Sequence, residues 1–259
     1  MQTPGREQRS EETVSNDYRY PSGGYASPEQ LGVRPVAQLS TRFLTDAFTW
    51  MFLALLLSAG VAWFVGRDTN LVLSAMDLRM PLFIAQIGLG LGVQLGIRRL
   101  PATLALALFF VYAALMGVTI GVWVWFYAGY SENPAAVVEA FVAAAAAFGG
   151  AAIYGVVTKR SLASIGSFLF MAAWGLFFAF IVNGLLLKSS TFDLILSAAG
   201  VVIFTVLAAW TTQRITNGEF AAMTGSREKA SVYGAMLLYI EFINIFLMLL
   251  RIFGGGGRR

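Results

Sequence analysis

The sequence contains no cysteine and no histidine, and only 12% of its 259 residues are charged. Without cysteine the chain has no disulfide, no thiolate metal site and no cysteine nucleophile. Without histidine it lacks the side chain that most often changes charge near neutral pH, which is also the commonest metal ligand. Any proton sensing by this chain must therefore use carboxylates.

Sequence signatures of catalysis are missing as well. The chain has neither an H-E-x-x-H metalloprotease motif nor a G-x-S-x-G nucleophile turn. It also lacks the paired aspartates at the centre of two hydrophobic segments that an intramembrane aspartyl protease needs. We therefore expect no enzymatic activity and no cofactor. We also expect no nucleic-acid partner, because the net charge of +4 is spread over loops and tails and is better explained by membrane orientation.

The chain is instead rich in long apolar segments. Hydrophobic residues make up 58% of it and the mean hydropathy is +0.70, which is outside the range of soluble domains. A membrane-spanning helix needs about 20 predominantly apolar residues. Segments near that length predict an all-α integral membrane protein with seven transmembrane helices, at about residues 43–65, 80–97, 102–127, 135–157, 161–187, 192–212 and 231–253.

The polar residues divide this chain into three parts. Residues 1–38 are rich in proline, serine, glycine and charge, which predicts a disordered N-terminal tail. Residues 39–254 form the predicted transmembrane domain, and residues 255–259 form a short C-terminal tail. Basic residues concentrate in alternate connectors, which predicts a cytoplasmic N-terminus. The short loops and alanine-rich segments are typical of a bacterial plasma-membrane protein.

Three glycines in the second segment have a regular spacing. Gly88, Gly92 and Gly96 form two overlapping G-x-x-x-G steps. They do not fit a G-x-G-x-x-G nucleotide loop, since no strand precedes them. The spacing predicts that another helix approaches this face closely.

Glu241 lies near the centre of the last apolar segment. A carboxylate at mid-membrane costs roughly 2.5 to 3.5 kcal/mol on insertion scales, so it normally faces a cavity or a protein interior. Asn244 follows one turn later on the same helix face, and Arg251 lies at the far end. Two interpretations remain open: Glu241 is a functional proton or cation site, or it is a hydrogen-bonded anchor that fixes the register of the helices.

Several motifs resemble the Bax inhibitor-1 family in the order in which that family carries them. Residues 233–254, YGAMLLYIEFINIFLMLLRIFG, resemble its closing helix. Residues 158–162, TKRSL, are similar to its TKRDL connector, and residues 139–141, EAF, fit the start of its fourth helix. Residues 210–213, WTTQ, stand where the family usually has a YDTQ-like sequence. The resemblance covers about residues 40 to 253 and suggests a bacterial member.

This resemblance implies a bundle in which six helices surround a central seventh and act as a pH-sensitive calcium leak. In the family, one acid near the end of helix six and one in helix seven share protons. Here Glu241 is one member, and Thr211 stands in place of the other. We therefore predict a gate and cation or proton site formed by Glu241, Thr211, Arg214, Gln86 and Asn244, with weaker pH gating than in relatives that have both acids. Glu241 would be the metal ligand, and Arg214 would be able to pair with it.

Two more acids and a second function complete the predictions. Asp193 and Glu139 lie near the external ends of their segments, where they form either a cation entrance or solvated boundary residues. The expected partners are the lipid bilayer and calcium ions or protons. The alternative function is that of a non-conducting membrane modulator, which binds a membrane protease or a stress-response partner through its tail and basic loops.

Overall fold

A computed structural model describes residues 36–130 and 135–255. This part of the chain is all-helical, with nine α-helices and no strand. A π-helical turn extends the fourth helix to Tyr130, and another extends the sixth to Leu187. The helices are α1 (Val36–Gly66), α2 (Thr69–Asp77), α3 (Arg79–Gly96), α4 (Ala102–Trp125), α5 (Ala135–Val157), α6 (Ala163–Val182), α7 (Ser190–Thr216), α8 (Glu219–Thr224) and α9 (Arg227–Gly255).

The predicted tails fall mainly outside the described residues. Residues 1–35 of the predicted N-terminal tail and residues 256–259 of the C-terminal tail are not described. Residues 36–38, which the prediction assigned to the tail, belong to α1, and Gly255 belongs to α9.

Six of the described helices are long and apolar enough to cross a membrane, which makes the chain an integral membrane protein. A seventh span is counted only if α2 and α3 are taken together, and these two helices are bent by 71° relative to each other. The sequence analysis predicted α3 but not α2. Asp68 caps α2, because its side chain accepts a hydrogen bond from the backbone N–H of Asn70 at 2.8 Å.

Helix α9 is the most buried of the spans, with 56% of its apolar window covered by the rest of the chain. It packs against α1, α4, α5, α7 and α8. On one face, the hydroxyl of Tyr239 lies 2.7 Å from that of Ser58 in α1, and Ser58 Oγ lies 2.8 Å from the carbonyl oxygen of Ala113 in α4. The rings of Phe109 and Tyr112 meet the Tyr239 ring edge-on. This cluster fixes three helices around a fully buried tyrosine.

Close packing of α1 on α4 depends on two glycines of α4. A Cβ at Gly117 would lie 2.7 Å from the carbonyl oxygen of Ser58, and one at Gly121 would lie 2.8 Å from that of Ala62. These distances are shorter than side chains tolerate. The G-x-x-x-G spacing of this pair therefore brings two helix backbones together.

The close packing predicted for α3 is wrong. A Cβ at Gly88 or Gly92 would meet no atom within 4 Å, and one at Gly96 would meet only the Leu100 side chain of the following connector. Helix α3 buries a different face, with Gln86, Gly90 and Val93, as it packs on α4. The three glycines have the spacing of one helix face, but no helix lies opposite that face in the described structure.

Helices α3 and α6 are held less tightly than the others. Helix α3 has its main contacts with α4, and α6 has its main contacts with α7. Only 11% of the apolar window of α6 is buried. These two helices form the side walls of the cavity that contains Glu241.

Candidate functional site

A cavity of about 640 Å³ lies between α3, α4, α6, α7 and α9. It follows one face of α9 from Tyr233 to Arg251, a length of about 27 Å at 1.5 Å per residue. A bilayer hydrocarbon core is about 30 Å thick, so the cavity extends through most of a membrane. We call its two limits the Arg214 end, where α7 finishes and α9 starts, and the Arg251 end.

Glu241 lies on the wall of this cavity, near the middle of α9. It is only 6% exposed. Its Oε1 accepts a hydrogen bond of 2.5 Å from Thr211 Oγ1 of α7. Its Oε2 is buried and has no hydrogen-bond partner among the described residues. A buried carboxyl oxygen without a partner is costly in an apolar environment, so a proton, cation or water that reaches it is bound favourably.

Arg214 lines the cavity but does not pair with Glu241. Its Nε donates to Glu219 Oε2 at 3.0 Å, and its guanidinium lies over the rings of Trp210 and Phe220, at 4.8 Å and 4.4 Å from their centroids. Helix α8 begins directly after α7 and brings Glu219 and Phe220 beside the arginine. The sequence allowed Arg214 to pair with Glu241, but in this structure the acid Glu219 and two aromatic rings hold the guanidinium instead.

The two predicted amides also line the cavity. Gln86 Nε2 donates to the carbonyl oxygen of Leu115 at 3.0 Å and to Thr119 Oγ1 at 2.7 Å, which ties α3 to α4. Asn244 Nδ2 donates to the carbonyl oxygen of Ile240 on its own helix at 2.7 Å. The five predicted gate residues thus share one cavity, but within the described structure only Thr211 is hydrogen-bonded to Glu241.

The two predicted entrance acids, Asp193 and Glu139, are not bonded to each other. Asp193, in the first turn of α7, forms an ion pair of 3.7 Å with Arg251. Glu139 is exposed on α5, and no hydrogen bond or ion pair joins it to Asp193 in the described residues. Of the two, only Asp193 therefore forms an ion pair with a residue that lines the cavity in the described structure.

Both ends of the cavity have the same construction, which the sequence analysis missed. Arg251 is paired with Asp193 and lies over the rings of Phe180 and Trp123, at 4.6 Å and 5.3 Å from their centroids. Arg214 has an acid and two rings around it in the same way. Each arginine is thus held by a carboxylate and by cation–π contacts. The acid and rings around Arg251 come from distant parts of the sequence, so spacing gives no signal for them. Those around Arg214 are its neighbours in the sequence, and the turn between α7 and α8 brings them together.

Glu241 is the one acid among the described residues that line the cavity, beside the two arginines at its ends. No group of three or more acids within the described chain is close enough to hold a metal ion. Calcium takes six to eight oxygen ligands. A calcium ion at Glu241 would therefore keep much of its water, which suits brief occupancy better than tight storage.

A sequence model described as inhibitor of apoptosis-promoting Bax1 matches residues 40–258. The chain belongs to the Bax inhibitor-1 family. Among its relatives, an uncharacterized protein of Deinococcus radiodurans is 39% identical over 211 residues, which are 81% of this chain and 89% of the relative. The inner membrane protein YbhL of Escherichia coli K12 is 37% identical over 228 residues, which are 86% of this chain and 94% of the relative. The resemblance predicted from the sequence motifs is confirmed.

Proposed function

We propose that this member of the Bax inhibitor-1 family is a cation leak pathway that passes calcium, with Glu241 as its gate and its cation or proton site. The observation that carries the proposal is the free Oε2 of Glu241 on the wall of a cavity about as long as a bilayer core is thick. An acid within a membrane normally marks an ion or proton pathway. The bundle would place α9 at its centre, with the bent pair α2 and α3 as one of the spans.

The contacts around Glu241 support conduction rather than storage. A permeating ion must bind well enough to enter and weakly enough to leave. One carboxylate, with Thr211 and Asn244 beside it, offers a few oxygen ligands to a partly hydrated ion. The arginines at the two ends repel cations while they stay in place, so they would act as barriers on either side of the acid.

The same carboxylate would make the leak sensitive to pH. A proton and a cation compete for Glu241, because protonation removes the negative charge that attracts the ion. Family members with two acids at this site have a second group that shares the proton, whereas Thr211 supplies only a hydroxyl. We therefore propose pH gating that is present but weaker than in those relatives.

The proposal also includes the membrane, the orientation and the partners of the chain. The chain would lie in a bacterial inner membrane, as the name of YbhL states for that relative. Its N-terminus would be cytoplasmic, because basic residues concentrate in the connectors on that side. Its role would be transport rather than catalysis, without a resident cofactor, and its partners would be lipid and the permeating ion.

The decisive experiment compares calcium flux into proteoliposomes for the natural chain and Glu241→Gln. At acidic, neutral and alkaline pH, we expect flux above that of empty liposomes for the natural chain, with a rate that changes with pH. Glutamine cannot ionise, so Glu241→Gln should lose this pH dependence. Glu228→Gln is the matched control, because it removes an exposed acid of the same helix that does not line the cavity.

A different outcome would overturn the proposal. If folded protein in the liposomes raises flux no higher than empty liposomes do, the chain is not a leak. Its function would then be sought in a membrane protease or stress-response partner.

A further inference from the structure

The cavity is open sideways, toward the lipid, between α3 and α6. Near the Arg251 end these helices meet through stacked rings of Phe83 and Phe177, whose centroids are 6.1 Å apart. Toward the Arg214 end the walls are exposed. Phe170 and Trp174 of α6, which line the cavity, are 49% and 39% exposed, and the lining residues Leu91 and Gln94 of α3 are partly exposed. The half of the cavity at the Arg214 end is thus a cleft that membrane lipid can reach.

The chemistry of this half-cleft changes along its length. Its outer end is polar and carries Arg214 with three polar-tipped side chains, Gln94, Trp210 and Tyr233. Tryptophan and tyrosine with an apolar body and a polar tip are typical of the headgroup level of a bilayer. Further in, the lining is apolar, with Leu91 and Ile87 of α3, Phe170 and Ala173 of α6, and Leu207 and Leu237 of α7 and α9.

The depth of the half-cleft matches one leaflet. From Tyr233 to Glu241 along α9 is about 12 Å at 1.5 Å per residue. One leaflet contributes about 15 Å to a hydrocarbon core of about 30 Å. A chain that starts at the polar end would therefore finish beside Glu241.

Arg214 has donors to spare at the polar end. Its Nε is bonded to Glu219, but Nη1 and Nη2 have no hydrogen-bond partner among the described residues. A guanidinium fork with two free nitrogens fits a phosphate group. An inorganic phosphate ion would use this fork but not the apolar walls, whereas a phospholipid would use both.

We propose that the half-cleft at the Arg214 end binds an acidic phospholipid, with its phosphate on Arg214 and an acyl chain along the face of α9 that carries Glu241. This site does not depend on ion conduction, since it requires only that the chain lie in a bilayer.

Tryptophan fluorescence tests the site, because bromine on an acyl chain quenches a nearby indole. Two variants each keep one tryptophan and have phenylalanine at the other positions: one keeps Trp210 in the cleft, and the other keeps Trp50, which is half-buried on α1 outside it. Both are reconstituted in liposomes with phosphatidylglycerol or phosphatidylcholine brominated near the glycerol end of the chain. We expect Trp210 to prefer the acidic lipid about fivefold, the effect of one basic residue on anionic lipid. Trp50 should show no preference.

Two substitutions in the Trp210 background separate the lipid site from general attraction of charge. Arg214→Gln should remove the preference for phosphatidylglycerol. Arg160→Gln, which removes an exposed arginine outside the cavity lining, should keep it. Glu219→Gln should strengthen the preference, because it removes the negative charge that competes with the lipid phosphate for Arg214.

Three results would overturn the proposal. The first is equal quenching of Trp210 by the two lipids. The second is the same preference at Trp50, which would indicate attraction to the whole protein surface. The third is loss of the preference when inorganic phosphate is added, which would assign the arginine to a free anion.

Discussion

The two faces of α9 each bury a polar side chain, but they differ in how far its hydrogen bonds are satisfied. Tyr239 and Glu241 are two residues apart, and both are buried. The tyrosine hydroxyl is bonded to Ser58 in a cluster of rings and carbonyl groups from α1 and α4. The glutamate has one bonded oxygen and one free oxygen, and it faces a cavity with loosely held walls. Burial alone therefore does not identify the functional group; unsatisfied bonding beside open space does.

The largest predicted effect is a loss of stability on the face of α9 that packs against α1 and α4. Tyr239→Ala removes a fully buried ring and its hydroxyl from contact with α1 and α4. We expect a loss of about 3 to 5 kcal/mol in the free energy of unfolding, as for other large aromatic residues cut to alanine. Thermal unfolding in detergent measures this loss. Leu237→Ala, at a half-buried position on the cavity face, is the matched control and should cost clearly less. Equal losses would mean that the two faces are packed alike.

Glycine substitutions extend the comparison to α3 and α4. Gly117→Ala places a Cβ 2.7 Å from the Ser58 carbonyl oxygen, so α1 and α4 must separate. We expect a loss of about 1 to 3 kcal/mol in unfolding free energy. At Gly88 a Cβ meets nothing within 4 Å, and alanine is the better helix former by up to about 1 kcal/mol. Gly88→Ala should therefore be neutral or stabilising. Chemical denaturation of the two variants side by side checks the opposite signs.

The pair of glycine motifs also shows what the sequence allowed us to predict. Apolar runs near 20 residues located α1, α3 to α7 and α9, because only long apolar helices satisfy both the backbone and the bilayer. The four-residue spacing of Gly88, Gly92 and Gly96 recurs at Gly117 and Gly121. Only Gly117 and Gly121 lie against another helix. Spacing gives the width of a helix face, but it does not show which helix lies opposite.

The residues of the candidate site could be predicted, but most of the hydrogen bonds and ion pairs between them could not. The resemblance to the Bax inhibitor-1 family placed Glu241, Thr211 and Arg214 in one region, and the structure puts them around one cavity. The partner of Arg214 could not be predicted, because the short helix α8 that carries Glu219 has no long apolar run to reveal it. A contact made by a six-residue helix depends on how the chain turns after α7.

The smallest predicted effect concerns the hydroxyl that bonds Glu241. Thr211→Asp places a second carboxyl group where Thr211 Oγ1 lies 2.5 Å from Glu241 Oε1. Two acids at this distance cannot both ionise freely, so they take up and release protons as a coupled pair. The calcium flux of the variant should therefore change with pH in two steps and over a wider pH range than that of the natural chain, because the two protons leave the pair separately. Thr211→Ser keeps a hydroxyl donor and should leave the pH profile unchanged. A profile for Thr211→Asp that matches that of Thr211→Ser would mean that the cation pathway does not pass Glu241. The free oxygen would then be a feature of helix packing, like the cluster around Tyr239 on the opposite face.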